Sequence, residues 1–100
     1  MNVRFLSEAA LEIKEAISYS RTNFELGEEL SSTLKASIDG IAADPYRFSE
    51  KRDGFRTIKL LRFPYRLFFL IDETNQTVVV CALAHTSRRP GYWKPRISGL

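Results

Sequence analysis

Cations and aromatic side chains crowd the second half of the chain, and they are the residues with the clearest chemical use. Guanidinium groups match the oxygen atoms of phosphate or carboxylate, and planar aromatic rings stack on bases. In a ribonuclease that uses no metal, such a set positions the 2′-hydroxyl, neutralises the phosphate and protonates the leaving oxygen. The alternative is a solvated basic surface whose aromatic residues hold the chain end to the core. The residues are Arg56, Lys59, Arg62, Arg66, His85, Arg88, Arg89, Tyr92, Trp93, Lys94 and Arg96.

Other kinds of site fail on the inventory of residues. The chain has one histidine and one cysteine, His85 and Cys81, which are too few for a tetrahedral zinc site. It contains neither a nucleophile-elbow motif nor a glycine-rich phosphate loop. We therefore predict no metal and no cofactor. Cys81 lies among valines and is interpreted as a small buried hydrophobic residue.

Positive charge is concentrated in the second half of the chain. Residues 1–45 carry four Lys or Arg and eight Asp or Glu, a balance of −4, whereas residues 46–100 carry eleven and four, a balance of +7. A basic half of this kind indicates an anionic partner: nucleic acid, a nucleoprotein or an acidic protein segment. The longest apolar run, 78–84, is far shorter than the roughly 20 residues of a membrane-spanning helix. No signal peptide is recognisable, so we predict a cytoplasmic protein without a membrane partner.

Three strands are predicted over residues 55–61, 65–71 and 77–84, where β-branched and aromatic residues are concentrated. Pro64 separates the first two because it lacks a backbone N–H. Residues 2–6 alternate between polar and apolar and suit an edge strand. Because a pair of helices connects this edge strand to the rest of the sheet, we expect the edge strand to run antiparallel to a neighbouring strand. The long loop before the second strand is able to reverse this relative direction. Both alternating sets of the last two strands are apolar, so these strands need cover on both sides.

A helical hairpin is predicted over residues 7–44, because apolar residues recur there at spacings of three to four. Ser7 is a candidate N-cap, and residues 21–25 are interpreted as the break between the two helices. Pro45 ends the second helix. Two helices joined by a short link are expected to lie antiparallel and to share one apolar face, which packs on the sheet.

The predicted architecture is a single domain over residues 1–100 of the α+β class. It has two layers in the order β-α-α-β-β-β, with the helical hairpin on one face of a mainly antiparallel four-stranded sheet. Residues 85–100, rich in cations and interrupted by proline and glycine, are predicted to form an irregular tail over the domain edge. The second face of the sheet is then open, and an exposed apolar surface rimmed by charge is typical of an interaction site.

Four segments that span nearly all of the chain, in order, resemble the RelE/ParE superfamily of bacterial type II toxins, and specifically its ParE-like branch. They read VRFLSEAALEIKEAISY, IAADPYRF, FRTIKLLRFPYRLFFLI and VVVCALAHTSRRPGYWKPR. Each is loose alone. The series RFPYR-x-F followed by A-x-x-H-x-x-R-x-P-x-x-W is fairly specific when taken together.

The resemblance implies a small bacterial cytoplasmic toxin, of the kind linked to plasmid stabilization, that is neutralised by a co-encoded, ParD-like antitoxin. Family antitoxins bind DNA through a folded dimeric part and wrap the toxin with a disordered tail, so operator DNA is a partner only through the antitoxin. ParE-like members are known for poisoning DNA gyrase, whereas RelE-like members cut mRNA on the ribosome. Both targets are kept as hypotheses, with gyrase as the first.

Site residues follow from the same resemblance. A RelE-like ribonuclease reading uses Lys59, Arg62, His85, Arg88 and Tyr92. However, residues 67–71 carry no second cation, and Thr86 follows the histidine where related ribonucleases have a tyrosine. These departures favour the gyrase-directed branch, for which no catalytic residue is expected. The residues predicted to contact the target or the antitoxin are Arg56, Arg62, Tyr65, Arg66, His85, Arg88, Arg89, Trp93 and Arg96.

Overall fold

The order of elements that the sequence predicts is the order in the computed structural model, which describes residues 1–98. Two helices pack on a four-stranded mixed sheet, which confirms the α+β fold class. The end of the predicted tail, residues 99–100, lies outside the described residues. The elements are β1 (Asn2–Phe5), α1 (Ser7–Phe24), α2 (Gly27–Ala43), β2 (Arg56–Lys59), β3 (Tyr65–Asp72) and β4 (Thr77–His85), with single 3₁₀ turns at Pro45–Arg47 and Lys94–Ile97.

The two predicted ends of helix α1 are wrong. Ser7 is the first helical residue and not the N-cap, because Leu6 occupies that position in an extended conformation. The helix also continues to Phe24, through most of the stretch interpreted as a break. Glu25 ends it with φ 57°, and its backbone N–H donates to the carbonyl of Ser20. A left-handed residue at this position satisfies one of the free carbonyls at a helix end.

The sheet has the strand order β1-β4-β3-β2, with β2, β3 and β4 forming an antiparallel meander. Strand β1 runs parallel to β4, pairing Phe5 with Val80, so the favoured antiparallel neighbour is wrong. The reason is that the helical hairpin returns the chain to the end of the sheet where β1 begins. There the amino terminus of Met1 donates to the carbonyl of Ala42 at 2.8 Å. Three further antiparallel strands then bring β4 into the direction of β1.

Strand β4 contains a bulge that changes which residues face each layer. Phe68 pairs with Ala82 and Phe69 pairs with Val80, so Cys81 is the extra residue. A bulge shifts the alternation of side chains by one residue along the rest of the strand. As a result Val80 and Leu83 pack on the helical side, while Cys81 and Ala82 both pack on the other side.

The helical side of the sheet holds the larger core. Leu30, Leu34 and Ile41 of α2 are each at most 3% exposed and meet Leu67 and Phe69 of β3. Fully burying a side chain of this size stabilises the fold by about 1.5–3 kcal/mol. The apolar face of residues 30–41 therefore packs on the sheet, as the sequence predicts.

The second side of the sheet is covered by the protein itself, so the prediction of an open face is wrong. Residues 86–98 cross this side and do not run along the domain edge, and Trp93 is 1% exposed. Its ring lies 4.7 Å from that of Phe68 and 4.8 Å from that of Phe55, measured between centroids. Together with Cys81 and Ala82 these rings form a second, smaller core. The tail thus supplies the cover that two-sided apolar strands require.

Candidate functional site

Two cations, Lys59 and Arg66, lie on neighbouring strands at the end of the sheet where β3 begins. Lys59 pairs with Arg66, and Arg66 pairs with Ala84. The ammonium group of Lys59 donates to the carbonyls of Leu60 at 3.0 Å and Phe63 at 2.6 Å. This side chain therefore stabilises the turn after β2. The strand ends at Lys59, two residues before its predicted end. Arg66 is exposed and remains directed to solvent.

The turn between β2 and β3 places a further cation at the same end of the molecule. Arg62 is exposed and has φ 70°, in the left-handed region that residues other than glycine rarely adopt. Beyond the turn, the ring of Tyr65 lies edge-on to the ring of His85, with 5.5 Å between centroids. Tyr65 and His85 are also directly paired across β3 and β4. The two residues consequently mark one corner of the sheet.

The chain reverses directly after His85 and returns over the second side of the sheet. The backbone N–H of Thr86 donates to the carbonyl of Pro64 at 2.8 Å, and that of Arg88 donates to the carbonyl of His85 at 2.9 Å. Nδ1 of His85 accepts the backbone N–H of Ser87 at 3.0 Å. The position of Arg88 relative to the strand is therefore set by a compact hydrogen-bonded turn.

Between this turn and the sheet lies a cleft of about 180 Å³, which we call the cationic cleft. Three exposed arginines, Arg66, Arg88 and Arg89, surround it, and within residues 1–98 none of them makes a salt bridge. The guanidinium of Arg88 lies over the ring of Tyr92, 3.9 Å from its centroid. A cation held on an aromatic face keeps its N–H donors free for an anion. The remaining lining residues are Phe68, Ala84, His85, Thr86, Pro90, Gly91, Tyr92 and Trp93.

Behind the cleft, one carboxylate joins helix α1 to the tail. Arg96 donates to Glu12 through two nitrogens, at 2.7 Å to Oε1 and 3.1 Å to Oε2. The hydroxyl of Tyr92 donates to Oε2 at 2.5 Å, and the backbone N–H of Leu83 donates to Oε1 at 3.2 Å. The hydrogen bond to Glu12 raises the pKa of Arg96, which keeps the guanidinium charged. We call Glu12, Tyr92 and Arg96 the tail clasp.

The sequence gives no sign of the tail clasp, and Glu12 is not among the predicted site residues. It looks like any other acid on the polar face of an amphipathic helix. Its partners are 80 and 84 residues away in the chain, so no local spacing connects them. The only available signal is the pairing of an acidic first half with a basic second half, which does not select a residue.

The first 90 residues match a known family almost completely. Residues 3–90 match the family model described as "ParE toxin of type II toxin-antitoxin system, parDE". The chain belongs to the ParE toxin family. Among curated proteins, none matches it. The toxin identity that the resemblance implies is thereby confirmed at the level of the family.

Solved structures of ParE and RelE systems share the fold of this toxin. The chromosomal ParDE system of P. aeruginosa matches with a TM-score of 0.71 at 14% identity, over 85% of this chain and 95% of that chain. The intact E. coli RelBE toxin-antitoxin complex matches with a TM-score of 0.62 at 19% identity, over 87% and 98%. The RelBE2 complex of Mycobacterium tuberculosis matches with a TM-score of 0.61 at 22% identity, over 84% and 95%. At these identities the likeness is one of fold.

The structure of the toxin divides the predicted contact residues into three groups. Arg66, His85, Arg88 and Arg89 come together at the cationic cleft, with Arg62 and Tyr65 at the same end of the sheet. Arg56 does not join them, because its Nε donates to the carbonyl of Phe48 on the opposite side of β2. Trp93 and Arg96 are taken up by the second core and the tail clasp. Both side chains are thus engaged within the protein itself, and their contact with the target or the antitoxin stays a prediction.

Two simpler properties of the toxin follow from the described residues. Over residues 1–98, no three side chains of His, Cys, Asp or Glu are grouped as a metal site would need. Neither of its helices is both long and apolar enough to cross a membrane.

Alkaline pH is expected to destabilise the toxin between about pH 9 and pH 12. Burial raises the pKa of the Cys81 thiol from 9.0 to about 11, and burial together with the bond to Glu12 raises the pKa of Tyr92 from 10.0 to about 12. Between these values the unfolded chain has lost protons that the folded protein keeps, so the free energy of unfolding falls as pH rises. Thermal unfolding followed across this range measures the fall.

Two variants separate the contributions to this alkaline transition. Cys81→Ala is expected to flatten the lower part of the pH profile, and Tyr92→Phe the upper part. A melting temperature that stays constant from pH 9 to pH 12 in the unmodified toxin would contradict the prediction.

Proposed function

We propose that this toxin acts by binding DNA gyrase through the cationic cleft, and that a co-encoded antitoxin neutralises it. Membership of the ParE family supports the choice of target, because ParE-like toxins are known for poisoning gyrase. The choice of the cationic cleft as the contact surface is supported by one observation. Three arginines surround it, and none of them has an acidic partner in residues 1–98. The free donors of such a set suit carboxylates on a protein surface.

A supercoiling assay with purified gyrase tests the proposal. Added toxin is expected to inhibit supercoiling and to trap gyrase on cleaved DNA. Raising the salt concentration is expected to weaken the inhibition, because exposed charges are screened over about 8–10 Å at physiological ionic strength. Full supercoiling activity in the presence of a large molar excess of toxin would refute it.

The geometry gives less support to cleavage of mRNA on the ribosome. The ammonium group of Lys59 is bound by two carbonyls of its own turn, and the hydroxyl of Tyr92 is bound by Glu12. A general acid or base needs its proton-transferring atom within reach of the substrate. Primer extension on translated mRNA distinguishes gyrase inhibition from mRNA cleavage. Cut transcripts together with fully active gyrase would refute the gyrase proposal and support the ribonuclease function.

The antitoxin needs a surface other than the second side of the sheet, which the tail covers. An apolar groove of about 290 Å³ lies beside the edge strand β1, between the two helices. Ile13 and Ile17 of α1, Leu34 and Ile38 of α2, and Phe5 of β1 line it. Phe5 is 40% exposed, and β1 pairs with a strand on one side only. An extended or helical segment with apolar side chains fits a groove next to a free strand edge.

Phe5→Glu is expected to weaken binding of the antitoxin by at least about tenfold, while the fold and gyrase inhibition stay unchanged. The substitution puts a charge into an apolar contact, and desolvating an unpaired charge is costly. Isothermal titration calorimetry with the protein encoded by the adjacent reading frame measures the change.

Leu11→Glu is the matched control, because Leu11 is 55% exposed on α1 and does not line the groove. Equal losses of affinity in both variants would show that added negative charge, and not the groove, explains the effect. Undiminished affinity in Phe5→Glu would place the antitoxin elsewhere.

A further inference from the structure

The tail clasp lies where the central strand of the sheet loses its neighbour. Strand β1 pairs with β4 only from Thr77 to Val80, although β4 continues to His85. Beyond that point, side chains take over the backbone groups of β4. Arg96 donates to the carbonyl of Cys81 at 3.2 Å, and Glu12 accepts the N–H of Leu83. The free edge of a strand is thus closed by one acidic and one basic side chain from distant parts of the chain.

The clasp is shielded from water, unlike the other salt bridge of the tail. The side chains of Arg96 and Glu12 are 17% and 16% exposed, whereas those of Lys94 and Asp53 are 49% and 46% exposed. Two-pronged bonds between a guanidinium and a carboxylate are directional, and they are stronger where water is excluded. The clasp therefore fixes the orientation of the tail, while the exposed pair contributes little.

Tyr92 connects the clasp to the cationic cleft. Its hydroxyl is bound by Glu12 at one end, and its ring carries Arg88 at 3.9 Å and Arg96 at 5.2 Å from the centroid. Arg88 makes no salt bridge of its own within residues 1–98. The tyrosine ring and the turn after β4 are consequently the contacts that place its guanidinium at the cleft.

We propose that Glu12 is the positioning residue of the cationic cleft: through Tyr92 it sets where Arg88 presents its guanidinium to a partner. The inference rests on the proposed function for its biological meaning, but its structural part does not. Glu12 lies in helix α1, outside the lining of the cationic cleft, and is connected to the partner-facing Arg88 through Tyr92. Glu12 and Arg88 also line a neighbouring pocket together, but within residues 1–98 they form no salt bridge with each other. Glu12 therefore acts by placing another group and not by contact with the target.

Glu12→Gln tests the proposal, because glutamine keeps the size of the side chain but removes its charge and one acceptor oxygen. Three readouts on the full chain are used: the NMR shift of the Arg88 side chain, which the Tyr92 ring displaces; the rate of maleimide labelling of Cys81; and gyrase inhibition. Cys81 lies fully buried beneath the tail and is the single thiol of the chain, so its labelling reports on tail opening.

We expect the Arg88 signal to move towards its value in an unfolded peptide, and Cys81 labelling to accelerate by about tenfold or more. Gyrase inhibition is expected to fall to a similar degree, while far-ultraviolet circular dichroism stays native. Tyr92→Phe keeps the ring and removes the hydroxyl, so it is expected to change all three readouts in the same direction by a smaller factor.

Asp53→Asn is the matched control, because it breaks the exposed salt bridge of the tail with Lys94 and leaves the clasp intact. It is expected to leave the Arg88 signal and Cys81 labelling unchanged. An unshifted Arg88 signal or unchanged labelling in Glu12→Gln would overturn the proposal, as would equal effects in Asp53→Asn. A shifted Arg88 signal with full gyrase inhibition would also overturn it. If the unmodified toxin fails to inhibit gyrase, the proposed function falls, and the Arg88 signal still decides whether Glu12 positions that residue.

Discussion

Replacing Trp93 by alanine is expected to lower the free energy of unfolding by about 3–5 kcal/mol, the usual cost of removing a large buried aromatic side chain. The indole is 1% exposed and packs on Phe68 and Phe55. Its loss leaves a cavity over the second side of the sheet and exposes Cys81. Urea denaturation followed by circular dichroism measures the change, which is a large share of the 5–15 kcal/mol typical of a domain.

Trp93→Phe and Phe24→Ala accompany this measurement. Trp93→Phe keeps an aromatic ring in the same place and is expected to cost clearly less. Phe24 is 60% exposed at the end of α1, so its truncation is expected to stay within about 0.5 kcal/mol. A loss below about 1 kcal/mol in Trp93→Ala would show that the second side tolerates exposure, as the open-face interpretation of the sequence requires.

The contrast over the second side of the sheet shows how far the pattern of the strands predicts the fold. Two-sided apolar alternation in β3 and β4 correctly indicates that both sides are covered. It does not say by what. The regular structure of residues 86–98 is a single 3₁₀ turn. Such a short element is not long enough to produce a repeating apolar pattern in the sequence. The cover depends on one large ring, Trp93, and a single residue leaves no periodic signal.

The direction of β1 and the bulge in β4 could not be predicted from the sequence, for related reasons. Local propensity identifies a strand, whereas its direction depends on where the helical hairpin returns the chain. The pairing of Met1 with Ala42, which marks that return, is a contact across 41 residues. The bulge at Cys81 depends on pairing with Phe68 and Phe69 of the neighbouring strand, and the run VVVCALA reads the same with or without it.

For the candidate site, composition predicts the kind of chemistry but not the use of each cation. The arginines of the second half look alike in sequence. In the structure, Arg96 donates hydrogen bonds to Glu12, and Arg56 donates one to the carbonyl of Phe48. Arg66 and Arg88 line the cationic cleft and stay available to bind a partner. The division depends on which acceptors the fold brings within reach. Contacts between residues so distant in the chain are determined by the packed tail and helix, and by no local motif.

Reversing the charge of Arg88 and Arg89 together, to glutamate, is expected to reduce the proposed gyrase inhibition by about 100-fold or more, because like charges placed opposite each other across an interface cost several kcal/mol. Both side chains are exposed, so the fold is expected to persist. Supercoiling assays with a toxin titration measure the loss, and circular dichroism confirms the native fold of the variant.

The double variant Lys51→Glu with Arg52→Glu carries the same change in net charge on the exposed loop before β2, where the two cations line a neighbouring pocket and not the cationic cleft. Long-range attraction depends on total charge and falls equally in both variants, whereas a specific contact is lost only in the first. The cleft variant is therefore expected to be the weaker inhibitor by a wide margin, and the difference is expected to remain at high salt. Equal weakening of the two would reduce the role of the arginines to general electrostatic attraction, and the target-binding surface would have to lie outside the cationic cleft.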